Sequence, residues 1–196
     1  MTRQDQFVID IFEGAVKIEN KYGIPHTVLI AQAALETGYG DTIQPECNAY
    51  FGIKAGQSWG GKRILVTTHE YHSTNTGKSY PQVINITEVK PGLYKWKVKD
   101  YFRCYTTFDE SLEDYAKLLT KNQFYKEALK YKHNPDRFIE ELKNYATDPS
   151  YIQKLKQVRQ GVINRISKYN LKKKVAVSIA ALTFLALIAY FVFLRR

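Results

Sequence analysis

The chain has 196 residues, 44% of them hydrophobic, with 29 basic against 19 acidic residues and a formal net charge of +10. That length holds one domain with a real core plus an appendage. The charge argues against a nucleic-acid partner once it is located: seven basic residues and no acidic ones lie from Arg165 onward, leaving 22 basic against 19 acidic residues in the rest.

The N-terminus, "MTRQDQFVIDIFEGAV", mixes acids with apolar residues and lacks the uninterrupted apolar core of a signal peptide. Residues 5–22 place Phe7, Ile11, Ala15 and Ile18 at helical spacing, with Gly23 as the stop. Pro25 suits the first turn of a second helix that runs to about Thr37. Residues 38–61, rich in Gly, Asn, Pro and Gln, read as a structured loop. From Lys62 to Tyr105, "RILVTTHEY", "QVINITEV" and "LYKWKVKDYFRCY" carry β-branched and aromatic residues in partial alternation, predicting an antiparallel ribbon or small meander of about three strands. Asp109 is placed to cap "ESLEDYAKLLTKN". "NPDRFIEELKNYA" has Pro135 in its first turn and Phe138, Ile139 and Leu142 as apolar positions, and a last helix runs from about Ser150 toward Tyr169. The order of elements predicts an α+β domain.

Residues 175–194, "VAVSIAALTFLALIAYFVFL", contain no charge and no proline. Twenty residues at 1.5 Å rise give about 30 Å, the thickness of a bilayer's hydrocarbon core, so a C-terminal transmembrane helix is expected. The expected organisation is a domain over 1–164, a basic juxtamembrane segment over 165–174, the span over 175–194 and a basic tail at 195–196. This makes the chain a single-pass membrane protein with the bilayer as a partner. Five cations before the span against two after it favour a cytoplasmic domain. Cys47 and Cys104 are equally compatible with a disulfide and with two small buried thiols.

Glu36 is the first candidate for chemistry. It ends "HTVLIAQAALET", a helix apolar nearly all round, just before Gly38. A partly buried carboxylate at the negative end of a helix has its pKa raised by desolvation and by the dipole. A carboxylic acid still protonated near neutral pH is what a glycosidase uses to protonate a leaving oxygen. Glu70, in "VTTHEYH" on the predicted ribbon, offers a second carboxylate to act on water or on an oxocarbenium-like centre. Tyr39, Tyr50, Phe51 and Trp59 surround the Glu36 loop in sequence; taken singly each reads as core, and the group beside an acid reads as a sugar-stacking surface. His69 and His72 flank Glu70 without a spaced set of further ligands, so neither a metal nor a cofactor is expected.

"LIAQAALETGYG", "NAYFGIKAGQSWGGK", "TTHEY", "YFRCYTTFDESLEDYAKLL" and "NYATDPSYIQKL", in that order, resemble the glucosaminidase domains of glycoside hydrolase family 73, over roughly residues 7–160. The resemblance implies a lysozyme-like helical domain with a small β-lobe. It also implies cleavage of the β-1,4 bond after N-acetylglucosamine in the glycan strands of peptidoglycan. By motif, Glu36 matches the catalytic acid, Glu70 the second carboxylate and Tyr145 a tyrosine that supports catalysis. Asn48, Phe51 and Gly52 match residues lining the cleft, to which Tyr50, Trp59 and Tyr39 are added as substrate-binding candidates. The sequence departs from the family in "CNAYFG", where two asparagines are common, and in the long stretch from Ser73 to Gly92. A lytic transglycosylase and a non-catalytic wall tether are the competing readings, and a phage-type lysis enzyme or a cell-wall remodelling enzyme is the expected setting.

Overall fold

The first helix, α1 (Arg3–Tyr22), is started by a reciprocal cap: the Thr2 hydroxyl accepts from the Asp5 amide, and the Asp5 carboxylate accepts from the Thr2 amide. Its buried stripe, including Phe7, Ile11, Phe12, Ala15 and Ile18, lies at the spacing read from the sequence. The second, α2 (His26–Thr37), follows Pro25 directly and buries Val28 through Ala34 without a break, which makes it the central helix of the domain. The computed structural model describes residues 1–42 and 47–171. Residues 43–46 of the loop read over 38–61 therefore lie outside the described residues.

Three strands follow: β1 (Arg63–His72), β2 (Gln82–Lys90) and β3 (Leu93–Arg103). All pairings are antiparallel and the spatial order is β1-β3-β2, so the sheet is not a meander. Strand β3 takes the centre because it has the residues that need covering: Trp96 and Val98 are buried, whereas β2 is exposed along almost its whole length. The register pairs Glu70 with Trp96 and so turns Glu70 toward the helical part of the molecule. Cys47 and Cys104 are joined as a disulfide across Cα atoms 4.9 Å apart, which ties the loop after residue 46 to the end of β3.

The remaining helices are α3 (Phe108–Lys121), α4 (Lys126–Leu129), α5 (Pro135–Glu140) and α6 (Tyr151–Lys168), with a 3-10 turn at Gln123–Tyr125. The cap of α3 is Thr107 rather than Asp109: its hydroxyl accepts from the Glu110 amide at 3.2 Å, and Asp109 falls inside the first turn. Phe138, Ile139 and Leu142 are fully buried, as their spacing requires. Helix α6 packs along α2 through Tyr151, Leu155, Val162 and Ile166. Its far end is fastened to α1 by the Tyr169 hydroxyl, which donates to Asp5 at 2.9 Å, and by the Arg165–Asp5 ion pair at 3.3 Å.

The expected transmembrane helix, and with it a single-pass protein anchored in a bilayer at its C-terminus, requires correction. Among the described residues no helix is long and apolar enough to cross a membrane, and residues 175–194, on which the expectation rested, lie outside them. The helix that closes the described chain, α6, carries Lys154, Lys156, Arg159, Arg165 and Lys168 and buries a single stripe, so it is a core helix of the domain. The fold described is α+β: helices packed around α2, with one small antiparallel sheet beside them.

Candidate active site

Helix α2 ends at Gly38, whose backbone is left-handed (φ 57°), and Glu36 sits in the last turn. The side chain reaches the floor of a cleft of about 790 Å³ that runs between the helices and the sheet. Burial pushes the Glu36 carboxyl up to about 7; a hydrogen bond from Tyr151 opposes that rise, and the charge of Glu70 adds to it. Glu36 and Glu70 therefore share one cleft and feel each other.

Beneath Glu36 lies a chain of hydrogen bonds that starts from a buried amide. Gln32, one turn earlier on α2, is fully buried; its carbonyl oxygen accepts from the Tyr115 hydroxyl, and its NH2 donates to the Tyr151 hydroxyl at 2.8 Å. Tyr151 then has its own proton free to give, and it gives it to Glu36. Burial holds Tyr115, Tyr145 and Tyr151 well above the ordinary tyrosine range, so all three remain donors. With one Glu36 oxygen occupied by Tyr151, the carboxyl proton belongs on the other.

Gly52 forms the opposite wall. Its φ is 57°, and a Cβ placed there would lie 3.0 Å from Glu36 Oε2, so any other residue would have to take a left-handed backbone and crowd the acid. The preceding Phe51 is buried and stacks on Tyr115 with centroids 4.1 Å apart. Tyr145 donates its hydroxyl to the Phe51 carbonyl at 2.8 Å while its ring stacks on Tyr151. Tyr145 thus pins the Gly52 loop to the cleft floor.

Glu70 has different company. Although only 8% exposed, it is paired on both oxygens: Lys54 Nζ lies 2.8 Å from Oε1, and the Thr147 hydroxyl donates to Oε2 at 2.8 Å. Lys54 also pairs with Asp100 at 3.0 Å. Burial pulls the Lys54 ammonium down, but its two carboxylate partners outweigh that and the net direction is up. Among the described residues no cluster of His, Cys, Asp and Glu could hold a metal ion.

The other sequence candidates are divided between places. Glu36, Glu70, Tyr145 and Gly52 line the one cleft. Asn48 and Trp59 line a second cavity of about 870 Å³ beside α3, where Asn48 donates to the Tyr105 and Thr106 carbonyls and the Arg103 guanidinium lies over the Trp59 ring. Tyr50 packs on Phe108 and Tyr39 against Phe7, both on the core. Sequence reasoning passed over Lys54, Gln32, Thr147 and Tyr151. All four lie inside motifs quoted above, Gln32 in "LIAQAALETGYG", Lys54 in "NAYFGIK" and the last two in "YATDPSY", and those motifs are the available signal.

A buried acid pushed up to about 7 opposite an ion-paired carboxylate, in a cleft between helices and a small sheet, defines the class: a glycosidase-type site on a helical α+β domain. The family model of glucosaminidases, described as mannosyl-glycoprotein endo-β-N-acetylglucosaminidase, matches residues 13–168, and the chain belongs to that family. It is 35% identical over 176 residues to peptidoglycan hydrolase FlgJ of Vibrio cholerae, covering 87% of this chain and 46% of that one. The chain spans less than half the length of such curated relatives. Among solved structures, it is similar to the glycoside hydrolase domain of Salmonella typhimurium FlgJ, with TM-score 0.62 and 29% identity over 91% of this chain and 99% of that one. It is also similar to the catalytic domain of the Listeria monocytogenes autolysin Auto, with TM-score 0.60 and 30% identity over 88% of each.

Proposed function

We propose that this chain is a peptidoglycan hydrolase that cleaves the β-1,4 bond after N-acetylglucosamine within glycan strands. The observation that carries the reading is Glu36, a carboxyl held at about 7 by burial in the cleft that also contains Glu70. Glu36 gives its proton to the glycosidic oxygen as the bond breaks, and the leaving sugar departs as an alcohol. Glu70, held by Lys54 and Thr147, faces the positive charge that develops at the anomeric carbon and orients the water that attacks it. Tyr145 acts by holding the Phe51–Gly52 backbone against the acid. The same reaction serves a wall-remodelling or a lysis setting.

Purified sacculi incubated with the protein test the reading by mass spectrometry of the released glycans. Reducing N-acetylglucosamine ends are expected. Anhydro-muramic ends would make it a lytic transglycosylase, and binding without release would make it a wall tether.

A further inference from the structure

The outer face of the sheet has no part in the chemistry above. Antiparallel register sorts the strand residues between two faces: Glu70, Trp96, Val98 and Asp100 point inward, and their neighbours point out. The outward residues of β3 include Lys95, Lys97 and Lys99, paired across to Tyr71, His69 and Thr67 of β1 and to Thr87, Asn85 and Gln82 of β2. No acidic residue falls on this face in any of the three strands. Alternate residues of a strand lie about 6.7 Å apart, so the three lysines follow one another along the same face of β3. Their shared field reaches His69, whose imidazole is pulled below its ordinary range by burial and by Lys95 and Lys97. Such a row of like charges raises the energy of the folded chain unless counter-charges meet it.

The row is separated from the cleft by the width of the edge strand β1. His69 lies opposite Lys97 in the register and, with Thr68 and Glu70, also lines the cleft wall. Strand β1 is the edge of the sheet, so a polymer that leaves the cleft around that edge would meet the lysines on the other face. We propose that this sheet face binds the free carboxylates of the peptide stems carried by the polymer in the cleft, an inference that rests on the peptidoglycan reading above. The lysines act at a distance from the reacting bond: they hold the insoluble substrate and set its direction through the cleft.

The test is co-sedimentation of the full chain with sacculi freed of phosphodiester polymers, comparing wild type with Lys95→Gln/Lys97→Gln/Lys99→Gln. At low salt the triple variant is expected to bind at least about fivefold more weakly and to show a flatter salt dependence. The corresponding triple arginine variant should bind as wild type does. Capping the stem carboxylates with a neutral amine should abolish the difference between wild type and the glutamine variant. Unchanged binding by the glutamine variant overturns the proposal. So does a difference that survives carboxylate capping, or one seen only on walls that retain phosphodiester polymers. Reducing ends counted in the same tubes report hydrolysis separately: no release by wild type ends the hydrolase reading and leaves the binding comparison intact. If the triple variant fails to fold, Lys97→Gln, at the exposed centre of the row, decides by the same readouts.

Discussion

Glu36 and Glu70 are the same residue type lining the same cleft, and the two regions that present them differ in nearly everything else. Glu36 rises from an apolar helix onto a bed of tyrosines, with one hydroxyl donor and no cation among the influences on its proton. Glu70 comes from a strand and has an ammonium on one oxygen and a hydroxyl on the other. The first environment favours the neutral acid, the second meets a negative charge with a partner. The lesson is that surroundings, rather than side-chain type, set these two carboxyls apart, and that the difference can be broken by altering the surroundings.

The largest effect is expected from Glu36→Gln, which removes the proton and keeps the shape: a loss on the order of a thousandfold in release of reducing ends from sacculi. Full activity in that variant would end the comparison. Glu70→Gln is expected to cost at least about tenfold, ~1.4 kcal/mol of barrier. It also removes a negative neighbour of Glu36, so the basic limb of the pH profile should move to lower pH. A pH–rate profile in which that limb stays fixed would show the two acids to be independent.

The wild-type rate should fall as the pH rises past about 7, when Glu36 loses its proton. Stability follows with the same sign. The folded carboxyl is raised from an ordinary 4.5 to about 7, so its contribution is complete below about pH 4.5 and is lost as the pH rises through about 7. Glu36→Gln, which has no charge to bury, should therefore gain roughly 2 kcal/mol over wild type between pH 5 and pH 8 in denaturant titrations. The smallest effect is expected from Tyr151→Phe. Losing that donor raises the Glu36 carboxyl further, so the basic limb should move upward with a modest change in maximal rate. A downward shift would show that Tyr151 is not the donor.

The legible and illegible parts of the molecule separate along the same physical line. The raised proton affinity of Glu36 is legible in the sequence because its setting is local: an apolar helix, a glycine stop, and an acid at the unfavourable end. The helices were readable for the same reason, from Phe7 and Ile11 on α1 to Phe138 and Leu142 near α5. Glu70 depended on a motif, since what distinguishes it comes from Lys54, sixteen residues earlier, and Thr147, 77 residues later. Strand order was hidden because alternation shows which face a residue takes and not which strand lies beside it. Asn48 and Trp59 are near Glu36 in the chain but line another cavity, because the loop is drawn toward β3 by the Cys47–Cys104 bridge. The C-terminal apolar run reads as a span from its length and its lack of charge and proline, but it lies outside the described residues, and among those no helix is long and apolar enough to cross a membrane.

Gly52 restricts what this gene can become. A side chain there must enter the left-handed region, at about 1–2 kcal/mol for an ordinary residue, and its first carbon crowds the Glu36 carboxyl. Both demands fall on the Gly52 backbone and the Glu36 carboxyl, not on the sheet. In a library of random variants screened for protein that is folded, abundant and inert, position 52 should therefore appear alongside position 36, as a route to silence that leaves the acid itself in the sequence.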